Sequence, residues 1–94
     1  MSTRCPTHPG ELMREVLVEH LQLTVSDSAR RMRVSRQALS AVLAGRSALS
    51  AGMALRFSRL TGAAPELYLQ MQGRHNLWRA QRCIEAVKSR RRVD

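Results

Sequence analysis

The sequence predicts an all-α protein of five helices, and two observations lead to that prediction. No stretch alternates apolar and polar residues with an enrichment in β-branched side chains, so no strand is expected. Glycine, proline and serine residues recur at helix-length intervals, where they can begin or end helices. A chain of 94 residues has room for one small core, and we expect residues 1–94 to form a single domain.

Helix-start signals place the first two helices. The first begins near Pro9-Gly10, because the fixed φ of proline suits the first turn of a helix. The second runs from about Val25 to Met32 after Thr24, whose side chain can cap the free backbone N–H groups. The expected buried stripe of the first helix consists of Leu12, Met13, Val16 and Leu17.

The remaining three helices follow from the same signals. Ser35 caps the third helix, which ends at Gly45 because glycine readily adopts the left-handed conformation that follows helix C-termini. Ser50 caps the fourth helix, and Gly62 ends it. Pro65 lies in the first turn of the fifth helix.

The composition excludes several classes of protein. Only 3% of the residues are aromatic, which argues against a single-strand binder that stacks bases on aromatic side chains. No apolar run approaches the ~20 residues of a membrane span, and no signal peptide follows Met1. Cys5 and Cys83 lie far apart without partners at metal-ligand spacing, so we expect a reducing cytoplasm, no disulfide framework and no metal site. No nucleophile with its base and no phosphate loop is present, and we therefore expect neither enzymatic activity nor a cofactor.

The positive charge of the chain is concentrated in two blocks. The chain carries 16 Lys and Arg against 7 Asp and Glu, a net charge of +9. Residues 24–50 hold five arginines against one aspartate, and residues 74–94 hold seven basic residues against two acidic ones. The segments 1–23 and 51–73 are nearly neutral. The first block is a signal for nucleic-acid binding, whereas the second borders an apolar seam and has no single interpretation.

The second and third helices have the apolar spacing of a helix-turn-helix, in which two helices cross steeply around a tight turn. Such a crossing needs a small residue midway along the first helix, an apolar residue after the turn and two more on the buried side of the second helix. An ordinary helical hairpin has similar spacing, and the local positive charge favours the DNA-binding interpretation. Counted from Val25, positions five, ten, fifteen and eighteen are Ala29, Val34, Leu39 and Val42.

The outward face of the third helix carries residue types that read base edges. Arginine pairs with guanine, glutamine with adenine and serine with either, and these are the types of Arg36, Gln37 and Ser40. Ser35 and Arg46 lie at the two ends of this helix, where phosphates approach. The predicted DNA-binding residues are Thr24, Arg33, Ser35, Arg36, Gln37, Ser40 and Arg46.

Sequence blocks beyond this motif point to a known family. The His-Pro-Gly-Glu block and the Pro-Glu-aromatic-Leu block are far more specific than a helix-turn-helix alone. The blocks are His8-Pro9-Gly10-Glu11, Arg36-Gln37, Gly45-Arg46-Ser47-Ala48-Leu49-Ser50, Ala54-Leu55-Arg56, Pro65-Glu66 and Gln72. Over roughly residues 8–80 the chain resembles the HigA-type antitoxins, virulence-associated protein I-like repressors of host-inhibition-of-growth systems with an XRE/Cro-C1-like helix-turn-helix.

The resemblance implies a fold and a function. The fold is a lambda-repressor-like DNA-binding domain with an extended C-terminal helix, in which residues 1–7 form a tail, 8–73 the core and 74–94 the C-terminal helix and basic tail. The function is that of a cytoplasmic, nucleoid-associated homodimer that binds a palindromic operator upstream of its own operon. The implied protein partner is a HigB-type toxin, an mRNA-cleaving enzyme of RelE-like fold. A stand-alone XRE-family regulator without a toxin is the alternative.

The chain departs from the family pattern at several positions. Val25 stands where the family has a phosphate-contacting glutamine, and Ser28 replaces a core leucine. Arg33 replaces the glycine of the turn, so the turn either differs or is strained, since a left-handed non-glycine residue costs about 1 kcal/mol. An antitoxin that binds only protein is therefore a further alternative. The remaining departures are Ala44 for Asn, Tyr68 for Trp, and His75-Asn76 for Tyr-Asp.

His8 and Glu11 flank the start of the first helix and carry groups that could form an acid-base pair. No third catalytic member lies nearby, so we favour a structural role at the helix start. Pro9 sets the backbone angle of the first turn, and the Glu11 carboxylate faces the positive end of the helix dipole. His20 and His75 are isolated in the sequence, and we expect neither to bind a metal.

The fifth helix carries an apolar seam flanked by basic residues. The helix either continues to about residue 90 or breaks near Gly73, and we expect Leu67 and Met71 to cover the domain's own core. Beyond Gly73 the 3-4-3 spacing of the seam favours a dimer or toxin contact. Residues 90–92 are arginines that either stabilise the helix C-terminus or contact phosphates or an acidic surface. The seam consists of Leu77, Ala80, Ile84 and Val87.

Overall fold

A computed structural model of the chain describes residues 5–91, and this part contains five helices and no strand. The all-α prediction is therefore confirmed. The helices are α1 (Pro9–Arg14), which continues as a π-helix (Glu15–His20), α2 (Val25–Met32), α3 (Arg36–Leu43), α4 (Ala51–Thr61) and α5 (Pro65–Arg91).

Three helices begin at the capping residues that the sequence predicts. The hydroxyl oxygens of Thr24, Ser35 and Ser50 each accept a hydrogen bond from the backbone N–H three residues further on, at 3.0, 3.0 and 3.1 Å. Each bond satisfies an N–H group that the helix itself leaves free, and a cap of this kind contributes about 1 kcal/mol. Local chemistry therefore fixes where α2, α3 and α4 begin.

Left-handed residues end the same helices. Gly62 follows α4 with a φ of 79°, and Gly45 lies just beyond α3 with a φ of 77°, as predicted for both. Arg33 occupies the equivalent position after α2 with a φ of 58°. Of the two alternatives for this turn, the structure has the left-handed arginine, and its backbone is strained because its Cβ crowds the neighbouring carbonyl.

The second half of the first helix is wider than the sequence predicts. Residues Glu15–His20 form a π-helix, in which the N–H of Leu21 donates to the carbonyl of Val16 at 2.9 Å. The predicted stripe still faces the core, with Met13 and Leu17 fully buried and its other two members half-buried. Apolar spacing does not distinguish this local widening from a regular helix.

The core lies between the helix-turn-helix and the start of α5. Phe57 of α4 is at its centre, and the ring of Tyr68 packs edge-on against it with centroids 5.1 Å apart. The prediction that Leu67 covers the core is wrong, because the residue is 51% exposed. Tyr68 and Gln72 face inward instead, while Met71 is half-buried.

Helix α5 passes Gly73 without a break and extends to Arg91. Its C-terminal half leaves the core, and the seam of Leu77, Ala80, Ile84 and Val87 is exposed along its whole length. The side chains of the basic cluster at residues 90–92 lie outside the described residues. Among residues 5–91, no helix combines the length and apolar character that a bilayer crossing requires.

Candidate nucleic-acid interface

The helix-turn-helix is built as the apolar spacing predicts. Ala29 of α2 and Leu39 and Val42 of α3 are buried, and Val34 is half-buried after the turn. The N–H of Val34 donates to the carbonyl of Ala29 at 3.0 Å, which joins the turn to α2. This packing leaves the opposite face of α3 free to contact another molecule.

Four of the predicted DNA-binding side chains line one groove. They belong to Arg36 and Gln37 in the first turn of α3, Ser40 one turn later, and Arg46 in the connection to α4. Among the residues that the structure describes, no acidic side chain lines this groove. Two guanidinium forks, one amide and one hydroxyl therefore converge on a space that is suited to base edges and phosphates.

Thr24 and Ser35 lie at the N-termini of α2 and α3, where they cap these helices. Both hydroxyl oxygens already accept a backbone N–H, yet each hydroxyl keeps its own proton. These protons can be donated to a phosphate oxygen near the positive end of the helix. Capping and phosphate binding are thus compatible at both residues.

The loop that carries Arg46 is held by bonds from distant parts of the chain. The ring Nε2 of His8 lies 3.1 Å from the carbonyl oxygen of Ser47. The N–H of Leu49 donates to Oε1 of the buried Gln72 at 2.8 Å. Gln72 is one of the residues that carry the resemblance to the HigA-type family, but the sequence predicts no role for it. The sequence does not show which backbone amide of the loop its side chain binds.

His8 is also the cap of α1. Its Nδ1 accepts the N–H of Gly10 at 3.0 Å, so the ring is neutral and its proton is on Nε2, which donates to Ser47. Burial lowers the pKa of His8 below 6.5, and the neighbouring His75 lowers it further. A structural role for His8 at the helix start fits this geometry better than an acid-base pair with Glu11, whose side chain is exposed.

Gly10 allows α1 and α3 to approach each other closely. A Cβ at this position would lie only 2.0 Å from the carbonyl oxygen of Val42. The His-Pro-Gly block therefore performs two structural tasks, since it caps α1 and permits this contact behind the recognition helix. The helix start at this block follows from the sequence, whereas the need for its glycine becomes visible only in the packing of α1 against α3.

His75 joins the N-terminal segment to α5. Its Nδ1 lies 2.9 Å from the carbonyl oxygen of Pro6, and its ring packs edge-on against that of His8 with centroids 5.1 Å apart. The thiol of Cys5 lies 3.6 Å from the same Nδ1. Within residues 5–91 no cluster of His, Cys, Asp or Glu side chains has the arrangement of a metal site.

Several bacterial regulators are similar to this chain in sequence. An uncharacterized HTH-type transcriptional regulator of Haemophilus influenzae is 35% identical over 78 residues, which cover 83% of this chain and 73% of that protein. The uncharacterized HTH-type transcriptional regulator YddM of Escherichia coli K12 is 31% identical over 85 residues, which cover 90% of this chain and 89% of YddM. No protein-family model matches the sequence.

Solved structures of antitoxins share the fold. The antitoxin GraA is 32% identical with a TM-score of 0.79, over 92% of this chain and 95% of GraA. An addiction module antidote protein of the HigA family from Coxiella burnetii is 25% identical with a TM-score of 0.78, over 97% of this chain and 98% of that one. The chain belongs to the HigA-type family of helix-turn-helix regulators. Pseudomonas aeruginosa PA4674, solved in complex with its 28-bp operator DNA, is 25% identical with a TM-score of 0.74, over 80% of this chain and 82% of PA4674.

Two departures from the HigA-type pattern in α2 are accommodated by packing and hydrogen bonding. Val25 is half-buried and packs against the core, so this chain lacks the polar side chain of the family at that point. Ser28 is fully buried, and its hydroxyl donates to the carbonyl of Thr24 at 2.9 Å. The polar group that replaces the HigA-type leucine is therefore satisfied rather than orphaned.

The departures from the HigA-type pattern at His75 and Asn76 of α5 take part in the hydrogen bonds that hold the N-terminal segment and the loop between α3 and α4. Asn76 accepts a hydrogen bond from Nε2 of Gln72 at 2.9 Å, which orients the other end of the Gln72 amide toward Leu49. His75 contacts Pro6 as described above. These positions therefore support the fold of this HigA-type chain.

Arg33 is not part of the groove that Arg36, Gln37, Ser40 and Arg46 line. Its side chain lines a second cleft between α2 and α4, which shares no lining residue with the groove at Arg36. We call this second site the arginine cleft. Its basic side chains are Arg31, Arg33, Arg56 and Arg59, and its other lining residues are Met32, Gly52, Leu55 and Leu60.

Proposed function

We propose that this chain is a DNA-binding autorepressor that also acts as the antitoxin of a toxin-antitoxin pair. The observation that carries the proposal is the convergence of Arg36, Gln37, Ser40 and Arg46 on one groove of a helix-turn-helix. The operator complex of PA4674, a relative in fold, supports a DNA ligand for this groove. In this proposal the protein acts in the cytoplasm, at the nucleoid, as a regulator rather than an enzyme.

The residues of the groove divide into two roles. Arg36, Gln37 and Ser40 project from the exposed face of α3 and would read base edges in the major groove. Arg46 and Ser35, at opposite ends of α3, would bind phosphates and set the register of the helix. Thr24 would add a phosphate contact at the start of α2.

The exposed seam of α5 supports a homodimer. Side chains of Leu77, Ile84 and Val87 are 65%, 58% and 50% exposed, which leaves an apolar stripe without cover in the single chain. Pairing of two such stripes would bury them and present two recognition helices to a palindromic operator, in successive major grooves about 34 Å apart. We therefore propose this seam as the dimer contact.

Neutralisation of a toxin is supported by the relatives. GraA is named an antitoxin and the Coxiella burnetii protein an antidote, and this chain covers nearly the full length of both. We propose a partner of the HigB type, an mRNA-cleaving toxin of RelE-like fold. The alternative is a stand-alone regulator that uses the same groove without a toxin.

Co-purification from the native operon followed by a gel shift tests both parts of the proposal. We expect a small toxin to co-purify with the chain and a specific shift of the upstream DNA. Alanine substitution of Ser35, Arg36 and Gln37 together should abolish the shift and retain the toxin. A shift without any co-purifying protein would favour the stand-alone regulator, and a toxin complex without a shift would favour the protein-binding antitoxin.

The dimer contact is tested by sedimentation of Leu77→Glu and Ile84→Glu variants. A charge in the middle of a buried apolar seam is costly, so each variant should lose the association that this seam provides while its helix content is unchanged. A variant that stays dimeric but no longer retains the toxin would reassign the seam to the toxin contact.

A further inference from the structure

The arginine cleft gathers four positive charges without compensation. Arg31, Arg33, Arg56 and Arg59 line it together, and no acidic side chain of the described residues belongs to its lining. The single ion pair among the described residues joins Arg30 to Asp27, outside the cleft. Four guanidinium groups in one site repel each other, so an anionic occupant would stabilise the arrangement.

The cleft is firmly built on one side, and two leucines lie among its arginines. Nη1 of Arg56 donates to the carbonyls of Met32 and Arg33 at 3.1 and 3.5 Å, which fixes this guanidinium at the C-terminal end of α2. Leu55 is 53% exposed within the cleft, and Leu60 is half-buried there. A phosphate backbone gains nothing from exposed leucine, whereas a protein surface with both carboxylates and apolar side chains matches this lining.

A surface of that composition lies on the first helix of the same chain. Glu11, Glu15 and Glu19 line one shallow groove together with Arg14 and Val18. The three carboxylates are exposed, and Val18 is 41% exposed beside them. We call these five residues the acidic stripe.

Three of the seven acidic residues of this basic chain are therefore on one short surface. The stripe and the arginine cleft share no residue, and among the described residues no ion pair joins them within the chain. The complementary charges of the two surfaces are thus available to another molecule.

We propose that the acidic stripe of one copy of this chain binds the arginine cleft of a second copy. The carboxylates would meet the guanidinium groups of Arg31 and Arg59. Within residues 5–91, neither group makes a hydrogen bond to a main-chain carbonyl of the kind that fixes Arg56. Val18 would pack against Leu55. The contact lies on neither the α5 seam nor the groove at Arg36, so it adds to the proposed dimer and does not depend on DNA binding.

The dependence of self-association on salt concentration distinguishes this contact from association through the apolar seam. Ion pairs are screened at high ionic strength, because the Debye length falls from about 10 Å at 0.1 M salt to about 3 Å at 1 M. Apolar association is not weakened in this way, and the general repulsion between chains of net charge +9 is relieved by salt. We therefore expect part of the self-association to weaken when salt is raised.

Sedimentation equilibrium of the full chain without DNA tests the proposal by exchanging charges. Arg59→Glu and Glu15→Arg should each weaken the salt-sensitive association about tenfold or more, because each places like charges in contact. The double variant restores opposite charges across the contact and should recover it. An equimolar mixture of the two single variants should associate for the same reason.

Controls keep the outcome interpretable. Arg36→Glu makes the same charge change at an exposed position of α3, outside both surfaces and outside the α5 seam, and the self-association of this variant without DNA should match that of the unaltered chain. Thermal melting checks that each variant is folded, and Arg31→Glu replaces Arg59→Glu if the latter is not. Single variants that behave like Arg36→Glu, or a double variant that recovers nothing, would overturn the proposal. A loss of DNA affinity in Arg59→Glu with unchanged mass would instead assign the cleft to nucleic acid, and would also overturn it.

Discussion

The ring of His8 donates from Nε2 to the carbonyl of Ser47, at a distance of 3.1 Å across 39 positions of the sequence. The same ring accepts the N–H of Gly10 at Nδ1, so one neutral histidine joins the start of α1 to the loop that carries Arg46. Protonation of the ring would add a proton at Nδ1, the nitrogen that accepts the N–H of Gly10. The two hydrogen bonds of His8 could then not persist together.

Stability should accordingly depend on the charge of His8. Burial lowers the pKa of His8 below its ordinary 6.5, so on acidification the unfolded chain binds a proton before the native chain does. The contribution of neutral His8 to the stability of the fold is fully present above pH 6.5. It is lost as the pH falls through the lowered pKa of His8 in the folded state. Thermal melting between about pH 7.5 and 4.5 should show this loss.

Variants assign the effect to this histidine. His8→Asn retains an acceptor for the N–H of Gly10 and removes the titration, so its melting temperature should vary less with pH. His20→Gln alters an exposed histidine and should retain the acid sensitivity of the unaltered chain. An unchanged pH dependence in His8→Asn would rule out His8 as its source.

Replacement of Gly10 should separate a packing requirement from the general cost of glycine in helices. Gly10→Ala would bring a Cβ within 2.0 Å of the carbonyl oxygen of Val42, so α1 and α3 must separate, at a cost of about 3 kcal/mol. Gly73→Ala meets nothing within 4 Å and should stabilise the chain by about 0.5–1 kcal/mol. Urea unfolding measures both, and equal effects of the two variants would contradict the close approach.

The left-handed turn after α2 predicts a stabilising substitution. Arg33 has a φ of 58°, so Arg33→Gly should relieve about 1 kcal/mol of backbone strain. For a domain of this size that gain corresponds to a rise of about 4–8 °C in melting temperature. Arg31→Gly, which places glycine within the last turn of α2, should lower the melting temperature instead. An unchanged or lower melting temperature for Arg33→Gly would argue against strain in the turn.

The proposed DNA contacts predict two different patterns of loss. Gln37→Ala should reduce discrimination at one base pair by about 1–3 kcal/mol, because only base readout is removed. Arg46→Ala should weaken binding to every sequence. It should also reduce the slope of log affinity against log salt concentration by about one, because one phosphate contact is lost. Titration of operator and random DNA at several salt concentrations distinguishes them. Equal losses on both DNAs for Gln37→Ala would contradict its assignment to base reading.

Much of the candidate site could be predicted because its parts are close in sequence. Arg36, Gln37 and Ser40 lie on one helix face by periodicity alone, and Arg46 follows within one turn of its end. The groove they line was thus accessible to sequence analysis. The separation of Arg33 from that groove was not, because it depends on where α4 packs.

The sequence by itself determined where α2, α3 and α4 begin and where α4 ends. Thr24, Ser35 and Ser50 bond to backbone groups only three residues away, and Gly62 adopts its turn without help from distant residues. Such interactions form within a few residues, so their outcome can be read along the chain.

Tertiary structure decided which residues meet across long separations. The inward face of α5 carries Tyr68 rather than Leu67, because the ring packs against Phe57 of α4. The bond from Gln72 to Leu49 spans 23 positions, and the arginine cleft combines residues of α2 and α4. Helix orientation is fixed by close packing of the whole core, and no local pattern of residues specifies that packing.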